Sequence, residues 1–238
     1  MSKLNVFLAK AGVCSRRKAD ILIKDGKVKI NGAVIVQPWT EVAPKDFVAV
    51  NGKPLRAENQ LYLIVNKPRG VTVTLEDRHA RLKISDIIPN KYGRVFPVGR
   101  LDRETTGLII MTNDGDLCHE LTHPSFEIEK EYVATIEGSI DRGSMDRMKA
   151  GVEDEGEVLK VRSVSMLRRT QKMTVLKIVI SEGKKRHIRR LLKKVGAKVL
   201  NLKRVRIGGL ELGALREGKF RVLDRKEIYH LALGKKIV

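Results

Sequence analysis

Between Phe96 and Gly115 an apolar run ends at Val98, a polar loop follows, and a second apolar run leaves at Leu108. The loop, Gly99-Arg100-Leu101-Asp102-Arg103-Glu104-Thr105-Thr106-Gly107, sets Asp102 between Arg100 and Arg103. A carboxylate on a loop held by two buried strands is a workable active-site geometry, because the scaffold aims the side chain and leaves it open to a ligand. Cations beside it favour the ionised form, which suits a nucleophile or base better than an acid. The alternative is an aspartate that hydrogen-bonds its own loop backbone, as in an Asx turn.

A second candidate is the basic stretch 184–195, read as a helix. Ile188, Leu191, Leu192 and Val195 form its apolar stripe. At about 100° per residue, Arg186, Arg190 and Lys193 fall on the far, solvent side, and Arg189 falls on the flank. From the flank its stem can pack while its guanidinium reaches into a cleft. Lys184, Lys185 and Arg186 crowd the start of this helix together with backbone donors, an arrangement suited to phosphate. Tyr132 lies in the alternating strand 130–137. It is either an ordinary half-buried strand tyrosine or a ring that stacks on an extruded base.

Other chemistries lack their signals. No G-x-x-x-x-G-K-[ST] is present, and no G-x-G-x-x-G follows a strand and opens a helix, so no nucleotide or S-adenosylmethionine site is expected. The five His and two Cys never take zinc spacing, so no metal is expected. Asn113-Asp114-Gly115-Asp116 lacks the distal Glu of a calcium loop. His119 and His123 are four apart, but the helix read over 115–121 ends between them, so they read as helix-end residues.

The elements that must position these groups fall into two parts. Residues 1–60 read as a separate unit. A short helix is closed by Gly12, a second is capped by Ser15 and closed by Gly26, and hairpins turn at Asn31-Gly32 and Asn51-Gly52. In the second helix Ala19, Leu22 and Ile23 face a core, and Arg17 and Lys24 lie opposite. Residues 55–60 read as a polar linker. From Leu61 on, LYLIV reads as a buried strand. Further strands are expected at 94–98, 107–112, 130–137, 157–167, 173–180 and 197–207, and helices at 115–121, 140–149, 184–195 and 225–233. Without strict strand–helix alternation, this part is α+β.

Composition narrows the partner. The 238 residues carry 48 Lys+Arg against 28 Asp+Glu, a net charge of +20, and 42% are hydrophobic. That is too apolar for a disordered chain and too basic to be indifferent to polyanions, so nucleic acid leads. Residues 1–60 are net +6, 61–159 net −5 and 160–238 net +19, which suggests two basic surfaces flanking something else. No apolar run is long enough for a membrane span, and the N-terminus lacks the pattern of a secretory signal. Cys14 and Cys118 suit free thiols in a reducing cytosol.

These motifs together resemble one family. Gly99-Arg100-Leu101-Asp102-x-x-Thr105-x-Gly107-Leu108, followed by Thr112-Asn113-Asp114-Gly115, is similar to the catalytic motif of bacterial ribosomal RNA pseudouridine synthases of the RsuA/RluB/RluE/RluF type. Asn66-Lys67-Pro68-x-Gly70, Lys130-x-Tyr132, Glu182-Gly183-Lys184-x-Arg186-x-Ile188-Arg189-Arg190, Leu202-x-Arg204 and Gly208-x-x-Leu-x-x-Leu match its other motifs in order. Residues 4–50 resemble the small RNA-binding domain named after ribosomal protein S-four. Two positions depart from the pattern: His187 stands where the family often has Gln, and Asn5 where the N-terminal domain often has Arg.

The resemblance implies a small S-four-like RNA-binding domain over 1–60 and a mixed, mostly antiparallel-sheet catalytic domain over 61–238. It implies cofactor-free isomerisation of uridine to pseudouridine in ribosomal RNA, with large-subunit RNA expected first and small-subunit RNA second. A non-enzymatic RNA-binding or ribosome-assembly factor is the main alternative. By resemblance, Asp102 is the essential carboxylate, attacking sugar or base or abstracting a sugar proton. Tyr132 stacks on the uracil, Arg189 pairs with Asp102, Arg100 joins the substrate site and Leu202 lines a dry pocket. Arg16, Arg17, Lys18, Lys24, Lys184, Lys185, Arg186 and Arg190 are the expected RNA contacts. Ribosomal RNA or assembly intermediates are the expected partners, for a cytoplasmic monomer.

Overall fold

The computed structural model describes residues 1–55, 59–74 and 82–235. It divides into two compact units, Met1–Gln60 with Asn113–Gly115, and Leu61–Thr112 with Asp116–Val238. Residues 56–58 of the expected linker lie outside the described residues.

In the first unit, β1 (Ser2–Lys3) leads into α1 (Leu4–Lys10) and α2 (Arg16–Lys24). β2 (Val28–Ile30), β3 (Ala33–Ile35), β4 (Glu41–Val42), β5 (Val48–Val50) and β6 (Lys53–Pro54) follow, and β3-β2-β5-β6 form an antiparallel sheet. Leu4 and Leu8 of α1, Ala19 and Ile23 of α2, and Val28 are fully buried in one core. The Ser15 side chain accepts from Lys18 N at α2's start, satisfying one orphan donor. Asn31-Gly32 and Asn51-Gly52 close two-residue hairpins with positive φ at both positions, the geometry these dipeptides favour.

The second unit runs β7 (Tyr62–Lys67), β8 (Phe96–Pro97), β9 (Thr106–Thr112), α3 (Gly115–Thr122), β10 (Lys130–Glu137), α4 (Arg142–Ala150), β11 (Val152–Asp154) and β12 (Glu157–Leu159). It continues with β13 (Ser163–Arg169), β14 (Met173–Ile180), α5 (His187–Lys194), β15 (Val199–Ile207), β16 (Leu210–Glu211), β17 (Phe220–Leu223) and α6 (Arg225–Leu233). The main sheet has the order β13-β14-β10-β15-β9-β7-β17. Its pairings are antiparallel except β15 with β9, a parallel contact at Lys203↔Thr106 and Arg204↔Gly107. The class is α+β with a mixed, mostly antiparallel sheet.

The central strands are apolar on both sides because both faces are covered. Leu63, Val65, Ile109 and Met111 face a core closed by Ile188, Leu191 and Leu192 of α5 and Met148 of α4. Tyr62, Ile64, Leu108 and Ile110 face the opposite core, closed by Leu117 and Leu121 of α3 and Ile228 and Ala232 of α6.

Three expectations need correcting. The strand expected over 157–167 is two strands, β12 and β13. Val161 N leaves for Met148 O (3.0 Å) and Arg162 N for Val179 O (2.8 Å), which breaks the run. The helix expected from 184 begins at His187, because Arg186 takes a left-handed conformation (φ 51°) and cannot continue a helix. The strand expected over 94–98 shortens to Phe96–Pro97, with one further bond from Val98 N to Ile110 O at 2.8 Å.

Candidate active site

Asp102 sits on the loop from β8 to β9. The loop is pinned by three consecutive carbonyls. Asp102 O accepts from Thr105 N at 3.0 Å. Arg103 O accepts from Gly70 N at 2.9 Å and from Lys67 Nζ at 3.2 Å. Glu104 O accepts from Arg189 Nη2 at 3.1 Å. Leu101 is buried, Thr105 and Thr106 are buried, and Asp102 between them is only partly so. A tethered backbone with a reachable carboxylate is what a catalytic side chain needs.

Lys67 anchors this arrangement from beneath. It is fully buried at the end of β7 and donates to the carbonyls of Pro68 (2.9 Å), Val71 (2.8 Å) and Arg103 (3.2 Å). Burial pushes its pKa down to about 8, against the opposing pull of Glu104, Glu217 and Asp102. The motif Asn66-Lys67-Pro68 by itself assigns Lys67 no role. An apolar strand ending in Asn-Lys-Pro was the available signal, but a strand-end lysine reads as solvated.

Arg204 has a structural part that its place in the motif Leu202-x-Arg204 does not reveal. Buried on β15, it donates from Nε to Leu108 O at 2.7 Å, where the short parallel contact with β9 leaves few ladder bonds. Gly107 makes that contact possible. A Cβ there would sit 2.1 Å from Arg204 O, and its φ is +100°.

A cleft opens over Asp102, lined also by Arg100, Tyr132, Ile180, Lys184, Arg186, His187, Arg189 and Leu202. Tyr132 and Leu202 reach it from neighbouring strands, β10 and β15, and both are buried. Arg189 comes from α5. One partly buried carboxylate therefore faces a ring, an aliphatic wall and four cations. Asp102, Tyr132, Arg189, Arg100 and Leu202, far apart in sequence, come together here.

The direct Arg189–Asp102 pair implied by the resemblance is not the arrangement found. The guanidinium donates to Glu104 O and, at 3.5 Å, to Thr105 Oγ1. Burial and the nearby Arg186 lower its pKa, while the charges of Asp102 and Glu104 raise it. Arg189 thus holds the backbone that carries Asp102 and attracts the carboxylate from further off.

Arg190 is not on an open face. It donates to Asp154 Oδ2 (2.6 Å), Asp154 O (2.8 Å) and Glu157 Oε2 (2.9 Å), and its side chain is 15% exposed. It braces the β11–β12 hairpin against α5. Lys184 also turns inward, donating to Val158 O at 2.6 Å, while Lys185 and Arg186 stay exposed. In the first unit Arg16, Arg17, Lys18 and Lys24 are all exposed on α2. Asn5, at a position of departure, donates to Asp20 Oδ1 at 2.7 Å and links α1 to α2.

Comparison with known proteins gives the family. The family model for RNA pseudouridylate synthase matches residues 61–194, and that for the S4 domain matches residues 2–48. The chain is 42% identical over 99% of its length to an RNA pseudouridine synthase of Aquifex aeolicus, covering 96% of it. It is 36% identical to ribosomal large subunit pseudouridine synthase B of Bacillus subtilis, over 97% of this chain and 96% of that one. A crystal structure of a pseudouridylate synthase superposes with a TM-score of 0.67 at 27% identity, covering 97% of this chain and all of the other. The chain belongs to the RNA pseudouridine synthase family and carries an N-terminal S4 domain. It is thus an RNA-modifying isomerase. Among the described residues no helix is long and apolar enough to cross a membrane.

Proposed function

We propose that this enzyme converts uridine to pseudouridine in large-subunit ribosomal RNA, with Asp102 as the catalytic carboxylate and no cofactor. The observation that carries the reading is the cleft itself, where one partly buried carboxylate on a pinned loop faces Tyr132, Leu202 and a ring of cations. The large-subunit target follows the Bacillus subtilis relative.

In the reaction the bond from uracil N1 to C1′ breaks, the base turns while bound, and C5 bonds to C1′. The C5 hydrogen leaves as a proton and N1 gains one, so the product is an isomer. Asp102 acts on the sugar or the base. The Tyr132 ring holds the turning uracil by stacking, and Leu202 and Ile180 keep water from the reacting bond. Arg189 keeps the loop in place. Extruding the base costs a few kcal/mol, which phosphate contacts from Arg100, Lys185 and Arg186 offset. Arg16, Arg17, Lys18 and Lys24 of the S4 domain add backbone affinity. In this reading the enzyme acts as a monomer in the cytoplasm, on ribosomal RNA or its assembly intermediates.

The test is a map of pseudouridines in ribosomal RNA from cells with and without the protein. Loss of a large-subunit site, restored by the native protein and not by Asp102→Asn, is expected. An unchanged large-subunit map would overturn the target assignment.

A further inference from the structure

In the last turns of α3 and the 3-10 turn after it the chain builds a cluster of exposed rings that the chemistry above does not use. His119 and His123 stack with centroids 4.9 Å apart and planes 30° from parallel. Phe126 meets both edge-on, at 5.8 Å and 6.3 Å. All three are exposed, Phe126 to 42%. His119 is held on α3, and the turn that carries His123 and Phe126 is fixed. Pro124 opens a 3-10 turn, His123 Nδ1 accepts from Ser125 N (3.3 Å) and lies 2.7 Å from Ser125 Oγ, and Thr122 Oγ1 donates to Cys118 O at 2.6 Å. Exposed rings held rigid lose little entropy when a flat partner arrives.

The location ties the cluster to the cleft from two sides. Thr122 lies beside Gly99, its methyl 3.5 Å from where a Cβ there would stand, and Gly99 precedes the cleft residue Arg100. Pro124 and Glu127 border an open hollow that also touches Ser181 and Glu182, next to the cleft residue Gly183. Lys160, Arg162 and Lys149, the last also paired with Asp146 on its own helix at 2.8 Å, line that hollow. Two carboxylates, Glu127 and Glu182, line it as well; Glu182 lies 3.3 Å from Lys184, and Arg162 leans on Glu129 outside the hollow at 3.3 Å. Rings beside cations are the pairing that takes single-stranded RNA, with bases on the rings and phosphates on the cations.

We propose that His119, His123 and Phe126 form a stacking platform for an unpaired base of the RNA substrate, outside the uridine pocket, with Lys149 and Lys160 taking the adjoining phosphates. The proposal rests on the enzyme reading above, since it is the cleft that brings RNA past this turn. The platform grips the substrate strand beside the extruded uridine and contributes to affinity without touching the reacting atoms.

The test uses the full chain and a large-subunit ribosomal RNA transcript free of modified nucleosides, labelled with tritium at uridine C5. Phe126→Ala and His119→Ala are expected to raise Kd and KM by about 5- to 150-fold, the range for losing one stacked base, with kcat at saturating RNA unchanged. Phe126→Trp should bind like the native protein and Phe126→Leu like the alanine variant, because stacking needs a ring and packing needs only bulk. Melting temperatures should stay equal, since the rings are exposed. If both alanine variants keep native Kd and KM, or Leu restores binding as well as Trp, the platform is refuted. Failure of the enzyme reading looks different: the native protein releases no tritium, while the binding isotherms still decide the platform.

Discussion

Arg189 and Glu104 are joined through the backbone: the guanidinium of one donates to the main-chain carbonyl of the other at 3.1 Å, two residues beyond Asp102. The arginine therefore fixes the loop that aims the carboxylate. Removing it should let the loop shift by a fraction of an ångström to an ångström. Misplacements of that size cost about 100-fold in rate. Arg189→Ala is expected to lower kcat at saturating RNA by that order, with Arg189→Lys recovering little, because a lysine lacks the planar fork.

Arg190, its neighbour, should behave oppositely. Its bonds go to Asp154 and Glu157, away from the cleft. Arg190→Ala should lower the melting temperature and leave kcat near native. Equal losses of kcat at both positions would show that neither has the role assigned.

Lys67 links stability to pH. Its folded pKa of about 8 lies below its ordinary value of 10.5, so across that window the unfolded chain binds more protons than the folded one. Stability therefore rises with pH from about 8 to 10.5 on this account, as the penalty of a buried charge is relieved. Lys67→Met should reduce that rise, measured as melting temperature against pH, and leave the share that comes from Lys130, whose burial also pushes its pKa down to about 8. At neutral pH it should cost about 1–3 kcal/mol by stranding buried carbonyls.

Gly107→Ala tests the seam between β9 and β15. The added Cβ would stand 2.1 Å from a backbone oxygen at a φ of +100°. Overlap with backbone and left-handed strain act together, so a loss of about 3 kcal/mol or more is expected, read by denaturant melting.

What the sequence revealed was local or periodic. Asn31-Gly32 and Asn51-Gly52 specify their own turns, and α6 and β14 follow from their apolar period. Asp102, Tyr132, Arg189 and Leu202 were recognisable through a family pattern, and α5's flank position pointed Arg189 toward a cleft. The rest depends on partners far along the chain. Arg190 read as solvated because Asp154 and Glu157 lie more than 30 residues away and only the fold delivers them. The break at 160–162 comes from Met148 and Val179, which no local pattern names. Lys67 was hidden because a buried lysine is tolerable only where three carbonyls converge, and convergence is a tertiary fact.

The S4 domain should contribute affinity rather than chemistry. Its exposed cations on α2 are Arg16, Arg17, Lys18 and Lys24. Neutralising all four should weaken RNA binding and reduce the slope of log Kd against log salt by up to about four, with kcat at saturating RNA kept. An unchanged slope would remove these residues from the RNA interface.

Asp102→Asn tests the central claim most directly. The change is nearly isosteric, removes the carboxylate's charge and nucleophilicity, and leaves the main-chain bond from Thr105 N to the carbonyl of residue 102 in place. The measurement is tritium release from RNA labelled at uridine C5, beside a melting curve and a binding isotherm on the same preparation. The account predicts no release above background, with melting temperature and RNA affinity close to native. Substantial release by a well-folded Asp102→Asn protein would contradict it.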